Sequence, residues 1–214
     1  MAVNVNVDVH VLCGPATPAQ WRDAALRSAR QPGMRVWPLP AIPGAFGAAR
    51  ARGWAVGTAP WVAFVDDDDV LLPGAAAACL DALADQPAAM GAFTDELQVR
   101  PDGTERPGLS TANGPWNPAL QALLAGYGHH FVVLRRAALQ DLLPELPQWG
   151  GMADYVVRGL VCRFGPLVRV PVVGYRWRVR EASTHTHIAP EVEAAARARV
   201  APVLARYSGG SGHA

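Results

Sequence analysis

The sequence predicts an α/β domain with a mixed, mostly parallel central sheet flanked by helices. Strand and helix patterns alternate through the first third of the chain, and Trp61–Val65 is a continuous apolar run typical of a central parallel strand covered on both faces. The length of 214 residues, half of them apolar, suits one domain with a full core. We therefore predict a single domain over residues 1–207, followed by a flexible Gly/Ser-rich tail over residues 208–214.

The first elements follow in the order β-α-β-α-β. Valines alternate with polar residues from Val3 to Val11, a period of two that predicts a strand with one buried face. Thr17 and Pro18 supply an N-cap and a first helical position for a helix that continues to about Gln31. The next elements are a strand at 34–39, a helix at 44–57 and the apolar strand at 61–65.

Turn signals divide the rest of the chain. Pro73-Gly74 opens a helix through Ala84, and Pro101-Asp102-Gly103 predicts a turn between two short strands. Residues 109–118 are rich in turn formers and predict irregular structure. The remaining predicted elements are strands at 89–93, 96–100, 104–107, 131–134 and 167–177, the last interrupted by Pro171, and helices at 136–143 and 154–164.

Composition narrows the classes of partner and mechanism. A formal net charge of +1 gives no overall attraction to nucleic acid or to anionic membranes. Every basic residue is arginine, which suits bidentate phosphate contacts and excludes mechanisms that depend on lysine. Cys13, Cys79 and Cys162 share no metal-binding spacing, so we expect buried thiols in a reducing compartment. We see neither a leader pattern nor an apolar span of the ~20 residues that a membrane requires, and expect a cytoplasmic protein.

Four consecutive carboxylates, Asp66 to Asp69, follow the buried strand directly. Neighbouring ionised aspartates repel one another and raise one another's pKa values unless a cation is bound. Oxygen ligands favour hard ions such as Mg²⁺, Mn²⁺ or Ca²⁺, and a metal held by two carboxylates commonly contacts substrate phosphates. The alternative is a solvated acidic turn before the next helix. Because ligands bind at the carboxyl ends of strands in open α/β sheets, we favour a metal site.

Several segments, taken in order, resemble family 2 glycosyltransferases of the GT-A fold. Ala49–Gly53 resembles the Ala-Arg-Asn-x-Gly element, Trp61–Gly74 the strand with its Asp-x-Asp motif and Pro-Gly helix start, and Thr94–Glu96 the segment after the next strand. Gly150–Arg158 resembles the acidic motif that opens the catalytic helix, and Pro171–Ser183 the Pro-x-x-x-Tyr-Arg close. The resemblance covers about the whole chain and implies a GT-A-like, Rossmann-like domain.

The resemblance also implies roles for individual residues. Asp66 and Asp68 match the Asp-x-Asp pair: Asp68 would coordinate Mn²⁺ or Mg²⁺, Asp66 would contact the ribose or the metal, and His185 or His187 could be a further metal ligand. Asp154 matches the catalytic base, which deprotonates an acceptor hydroxyl as it attacks the anomeric carbon opposite the leaving diphosphate and so inverts the anomeric centre. Residues 1–107 form the nucleotide-sugar-binding half, with Pro15, Arg50, Asp66, Asp67 and Arg178 at the donor. Residues 108–207 form the acceptor and catalytic half, and the residues expected at the acceptor are Asp95, Trp149, Gly151 and Tyr155.

One departure from the family pattern, and two further groups of basic residues, bear on substrate. An acidic residue usually follows the second strand and reads the nucleotide, whereas this chain has Trp37-Pro38-Leu39-Pro40. Arg176, Arg178 and Arg180 alternate along a strand and could hold a diphosphate on one face. His129-His130 precedes an apolar strand and is interpreted as structural.

The predicted activity is transfer of a sugar from a nucleotide-diphosphate sugar to an acceptor hydroxyl. The acceptor class stays open: a saccharide, a lipid-linked sugar, a protein side chain or a hydroxylated nucleobase of viral DNA, with nucleic acid expected only as an acceptor. One alternative is a sugar-phosphate nucleotidyltransferase, although Cys13–Thr17 lacks the glycine-rich loop with arginine and lysine of that class. Another is a non-catalytic module with a structural cation in the acidic loop.

Overall fold

The structure of the chain is a computed structural model that describes residues 5–112, 114–180 and 188–208. Its strands are β1 (Val7–Cys13), β2 (Met34–Pro40), β3 (Trp61–Asp66), β4 (Val70–Leu71), β5 (Gly91–Val99), β6 (Glu105–Pro107), β7 (Val132–Arg135) and β8 (Leu167–Arg178). Its α-helices are α1 (Ala19–Ser28), α2 (Phe46–Ala55), α3 (Ala75–Asp85), α4 (Leu109–Ala112), α5 (Pro118–Leu123), α6 (Ala153–Val161) and α7 (Pro190–Ser208). Two 3₁₀ segments span Arg136–Ala138 and Leu143–Met152.

The predicted α/β domain with one mixed central sheet is confirmed. The strands pair in the order β2-β1-β3-β7-β5-β8-β4, and β6 pairs with β5. β7 is antiparallel to both β3 and β5, so β1, β2, β3, β5 and β8 all run in one direction. The carboxyl ends of β1, β2 and β3 therefore meet at one edge of the sheet.

Helices cover both faces of the sheet and produce two hydrophobic core clusters. On one face, side chains of α2, α6 and α7 pack with Phe64 and Phe93. On the other face, α1 and α3 pack against the valines of β1 and against Val65 and Val133. Because helices cover both faces of the sheet, both faces of β3 are buried, which explains why its sequence is apolar throughout and does not alternate with polar residues.

The prediction that β1 buries a single face is wrong. All residues from Val7 to Leu12 are buried, including the polar residues Asp8 and His10. Asp8 accepts hydrogen bonds from Arg136 Nη2 at 2.8 Å, Trp37 Nε1 at 2.8 Å and the Ala59 backbone N–H at 2.6 Å. Both faces of β1 are therefore buried. The polar residues that alternate with the valines point to the second face, and the buried Asp8 carboxylate has hydrogen-bond and ion-pair partners there, as buried charges require.

Several predicted boundaries change in the structure. Thr17 does not cap α1, because its hydroxyl donates to Asp67 Oδ1 at 2.9 Å. The helix predicted at 136–143 is replaced by 3₁₀ turns, and Pro144 and Pro147 lie in the longer 3₁₀ segment. Strand β5 is continuous through the predicted break at residue 96, and β8 continues through Pro171 with a shift in its register against β5.

Three helices were not predicted from sequence. The short helix α4 lies within residues 109–118, which were predicted to be irregular. The short helix α5 begins at the end of that region and continues to Leu123. Helix α7 follows a visible signal, because Val192, Ala196, Val200 and Leu204 recur at helical spacing and pack into the core. Pro202 inside this pattern argues against a helix, yet the helix continues through it.

Among the described residues, no helix combines the length and the apolar character needed to cross a bilayer.

Candidate active site

A cavity of about 680 Å³ opens at the edge of the sheet where β1, β2 and β3 end. One part of its wall carries Asp66, Asp67 and Asp68, and another part carries Gly150 and Gly151 of the longer 3₁₀ segment and Asp154 in the first turn of α6. Cavities at the carboxyl ends of strands are the usual ligand sites of open α/β sheets. The remaining lining residues are Leu12, Gly14, Ala41, Ile42, Gly44, Phe46, Ala49, His129, Trp177, Arg180, Ile188, Ala189 and Val192.

Hydrogen bonds from a distant loop fix Asp67 at the end of β3. Its Oδ2 accepts from the Gly14 backbone N–H at 2.7 Å, and its Oδ1 accepts from the Thr17 hydroxyl at 2.9 Å. Burial raises the pKa of Asp67, while these two hydrogen bonds lower it. Asp67 lines the cavity and also ties the loop after β1 to the acidic loop.

Asp68 faces the cavity and pairs with an arginine from beyond β8. Arg180 Nε lies 2.6 Å from Asp68 Oδ2. Burial and the neighbouring charge of Asp66 raise the pKa of Asp68 to about 6, although Arg180 opposes this shift. The carboxylate therefore lies in an environment where one arginine does not fully compensate its charge.

Asp69 points away from the cavity into the protein. It is 1% exposed, and its Oδ1 accepts a hydrogen bond from the Arg178 backbone N–H at 2.7 Å. Burial and the charges of Asp68 and Asp66 raise the pKa of Asp69 well above its ordinary value. The four aspartates thus face different surroundings, with Asp66, Asp67 and Asp68 at the cavity and Asp69 behind them.

Arg50 joins the two acidic walls of the site. Its Nη2 donates to Asp66 Oδ1 at 2.8 Å, and its Nε lies 2.8 Å from Asp154 Oδ1. The guanidinium is fully buried and lies over the Phe64 ring, 4.0 Å from its centroid. Burial alone would lower the pKa of Arg50, but Asp154 and Asp66 raise it. One permanently charged cation therefore sets the distance and orientation between Asp66 and Asp154.

Asp154 occupies the first turn of α6 and is 3% exposed. Burial raises its pKa, while Arg50 and Arg158 lower it. His129 Nε2 lies 3.8 Å from Asp154 Oδ2, and His129 also lines the cavity. One oxygen of Asp154 thus faces an arginine and the other lies near a histidine that lines the cavity.

Some residues predicted at the donor do not line the cavity. Arg50 is fully buried behind the cavity wall, so the structure does not support a direct contact between Arg50 and a diphosphate. The position of Arg50 suits orientation of the Asp66 and Asp154 carboxylates. Arg178 donates from Nε to the Asp68 backbone carbonyl at 3.0 Å and lies over the Trp21 ring, 4.3 Å from its centroid. Pro15 is exposed beside Gly14, which does line the cavity.

Three residues predicted at the acceptor lie outside the cavity. Asp95 is buried in a bidentate pair with Arg169, with distances of 2.8 and 2.7 Å. Trp149 packs in the core, and Tyr155 is buried with its hydroxyl donating to the Ala122 carbonyl at 2.8 Å. The local sequence gave no sign of these partners, because they come from distant segments. Of the predicted acceptor residues, Gly151 alone lines the cavity.

Other cavity residues were missed or misinterpreted from sequence. His129 was interpreted as structural but lines the cavity near Asp154. Phe46, Trp177 and Ile188 add apolar surface from α2, β8 and the segment before α7. Aromatic and aliphatic residues look the same in sequence whether they line a site or fill a core, so only their position identified them. The predicted metal ligands His185 and His187 lie outside the described residues.

Similarity to solved structures identifies the class of fold. The chain superimposes on the structure of Staphylococcus aureus TarS residues 1–349 in complex with UDP-GlcNAc, with a TM-score of 0.62 and 14% identity over 94% of this chain and 71% of that one. The TarS 1–349 structure without that ligand gives a TM-score of 0.58 and 14% identity, with 80% and 60% covered. TarS is a family 2 GT-A glycosyltransferase. The fold of this chain is therefore the GT-A glycosyltransferase fold, as the sequence resemblance implied.

The chain is shorter than these neighbours. It spans 60% of the 1–349 structure and 36% of a longer TarS structure, which it matches at a TM-score of 0.59 and 13% identity over 81% of its own length. The sequence matches no protein-family model and no curated protein.

Proposed function

We propose that this chain is an inverting, nucleotide-sugar-dependent glycosyltransferase. The observation that carries the proposal is the cavity of the GT-A fold, whose lining includes carboxylates of the acidic loop and of α6 that share Arg50. A donor diphosphate suits the wall with the acidic loop, and an acceptor hydroxyl suits the wall with Asp154. TarS, a neighbour of the same fold, has been solved with UDP-GlcNAc and with UDP, which supports a nucleotide sugar as the donor class.

Asp154 acts as the general base in this proposal. Its carboxylate takes the proton from the acceptor hydroxyl while that oxygen attacks the anomeric carbon on the face opposite the nucleoside diphosphate, so the anomeric centre inverts. General base catalysis of this kind contributes about 10²- to 10⁴-fold. Burial raises the Asp154 pKa by more than Arg50 and Arg158 lower it, and a carboxylate with a raised pKa is a stronger base.

Asp66 and Asp68 would hold a divalent ion, Mn²⁺ or Mg²⁺. Both carboxylates line the cavity, and all-oxygen ligands suit these ions. When bound, such an ion supplies electrostatic stabilisation to a departing diphosphate. Arg180 pairs with Asp68 Oδ2, so this ion pair must open, at least in part, for Asp68 to coordinate an ion.

Ligand binding tests the donor site first. Thermal-shift and calorimetric screens would use UDP, GDP, CDP and dTDP sugars, with and without Mn²⁺ or Mg²⁺. We expect metal-dependent binding of one nucleotide sugar to the wild type and its loss in Asp68→Ala. Asp81→Ala removes an exposed carboxylate of α3 and serves as the matched control. Absence of binding for every donor would refute the donor site.

Turnover then tests the base. With the donor that binds, Asp154→Asn should keep its affinity while release of nucleoside diphosphate falls by about 10²- to 10⁴-fold. Circular dichroism checks that the variant is folded. Equal turnover in Asp154→Asn and the wild type would exclude Asp154 as the base.

A further inference from the structure

Behind the cavity, three ligating groups from separate segments converge. One carboxylate oxygen of Asp66, one of Asp69 and one ring nitrogen of His130 all lie within 4.8 Å of one another. Asp66 ends β3, Asp69 lies in the turn before β4, and His130 precedes β7. Of these three residues, Asp66 alone lines the cavity.

His130 is a buried polar group without a partner. It is 1% exposed, and neither ring nitrogen forms a hydrogen bond with any described residue. Its ring stacks on Tyr175, with centroids 4.5 Å apart and an interplanar angle of 3°, and its edge meets Phe64. Unpaired imidazole nitrogens in a dry interior are costly, and this ring is held where one nitrogen faces two carboxylates.

Asp69 is a buried carboxyl group without a cationic partner in the described part of the chain. Its Oδ1 accepts from the Arg178 backbone N–H, a hydrogen bond with the Tyr175 side chain also lowers its pKa, and its Oδ2 is buried. Arg50 pairs with Asp66 and Arg180 with Asp68, but no arginine forms an ion pair with Asp69 among residues 5–112, 114–180 and 188–208. Ionising a carboxyl group that is buried without a cationic partner costs free energy.

We propose that Asp66, Asp69 and His130 bind a structural metal ion behind the active-site cavity. A ligand set of two carboxylates and one imidazole suits a first-row transition ion such as Zn²⁺ or Mn²⁺ better than Ca²⁺. Three ligand atoms about 2.0–2.2 Å from one ion are on average at most about 3.8 Å apart, so the cluster must contract to complete the site. The ion fixes the acidic loop to the segment before β7.

This site shares Asp66 with the ion expected at Asp66 and Asp68, but its other two ligands differ. Asp69 and His130 do not line the cavity, so the ion they hold lies on the side of Asp66 away from Asp68. The structural ion should bind in the absence of nucleotide, and its binding should not require Asp68. The proposal does not depend on glycosyl transfer and would hold for a catalytically inactive protein.

Calorimetry with metal alone tests the site on the full chain. After treatment with a chelator and removal of the chelator, the protein is titrated with Zn²⁺ and with Mn²⁺, and its thermal midpoint is recorded. We expect binding and a higher midpoint in the wild type, with affinity at least tenfold weaker in Asp69→Asn and in His130→Gln. Asp68→Asn removes a ligand of the ion expected at the cavity but should retain one bound ion at the site of Asp69 and His130, and the exposed control Asp81→Asn should bind as the wild type does.

A second measurement separates ligand loss from misfolding. Without metal, Asp69→Asn replaces a buried carboxyl group that has no cationic partner and keeps the shape of the side chain, so it should be at least as stable as the wild type. Co²⁺ bound to the wild type should give visible absorption bands that change in His130→Gln.

Two results would overturn the proposal. One is a wild type whose midpoint does not respond to either ion. The other is binding that survives Asp69→Asn but is lost in Asp68→Asn, which would assign the ion to the cavity.

Discussion

Replacing Arg50 by methionine should destabilise the fold strongly, because two buried carboxylates would lose their shared cation. Arg50 lies 2.8 Å from oxygens of both Asp66 and Asp154 and is fully buried. Removing one partner of a buried ion pair costs about 3–5 kcal/mol, since the remaining charge stays desolvated and unpaired. In a domain of this size, each kcal/mol shifts the thermal midpoint by about 2–4 °C, which gives an expected decrease of about 6–20 °C.

Urea unfolding followed by circular dichroism measures this loss. Arg52→Met is the matched control, because Arg52 is exposed on the same helix and its contact is a single hydrogen bond to the Pro40 carbonyl. Its effect should stay within about 0.5 kcal/mol. In the double variant Arg50→Met/Asp154→Asn, residue 154 no longer carries a carboxylate that lacks its cation, so part of the lost stability should return.

The pH dependence gives an independent check. Without Arg50, burial should raise the folded pKa of Asp154 further above its unfolded value, so the folded state would bind a proton more readily than the unfolded state. The variant should therefore become more stable relative to the wild type as pH falls through the raised pKa. If Arg50→Met unfolds at the same urea concentration as the wild type at every pH, Arg50 does not pair these carboxylates in solution.

Three further outcomes follow from other buried groups. Burial raises the pKa of Glu96 to about 8, above its ordinary value of 4.5, so Glu96→Gln should be more stable than the wild type at pH 9 and should lose that advantage by about pH 5. Identical urea midpoints at pH 9 would contradict this expectation. A methyl group at Gly159 would overlap Val200 where α6 meets α7, so Gly159→Ala should cost about 1–3 kcal/mol and Val200→Ala should rescue part of it. Equal thermal midpoints for Gly159→Ala and the wild type would rule out this close approach. Because the pKa of Asp68 is about 6, binding of Mn²⁺ at the cavity should weaken as pH falls below 6, and calorimetry at pH 7.5 and 5.5 would show no difference if Asp68 is not a ligand.

Local patterns were sufficient for most of the sheet but not for elements whose signals conflict. The apolar run of β3 and the Pro-Gly start before α3 predicted both elements closely. Helix α7 was missed although its apolar periodicity is visible, because Pro202 interrupts the pattern. At 136–143 helical spacing was present, but the chain forms 3₁₀ turns there. Short-range preferences are weak, and packing against the rest of the domain overrides them.

For the site, the sequence located the acidic wall and the position of Asp154 but not the connection between them. Arg50 was expected to contact a ligand, and its burial between two carboxylates depends on α2 packing beneath β3 and α6. Asp95 was expected at the acceptor, yet Arg169 from β8 neutralises it within the fold. Both partners lie far away in sequence, so no local pattern could reveal them.

The sequence by itself determined that four carboxylates would stand at the end of a buried strand. A period of two or an uninterrupted apolar run depends only on the order of residues, and the end of a strand follows from it. The tertiary structure alone decided which way each carboxylate faces. Hydrogen bonds from Gly14 and Thr17 hold Asp67, Arg180 holds Asp68, and the backbone of Arg178 holds Asp69. The directions of adjacent side chains in a turn depend on such contacts with distant residues, which exist only once the sheet has formed.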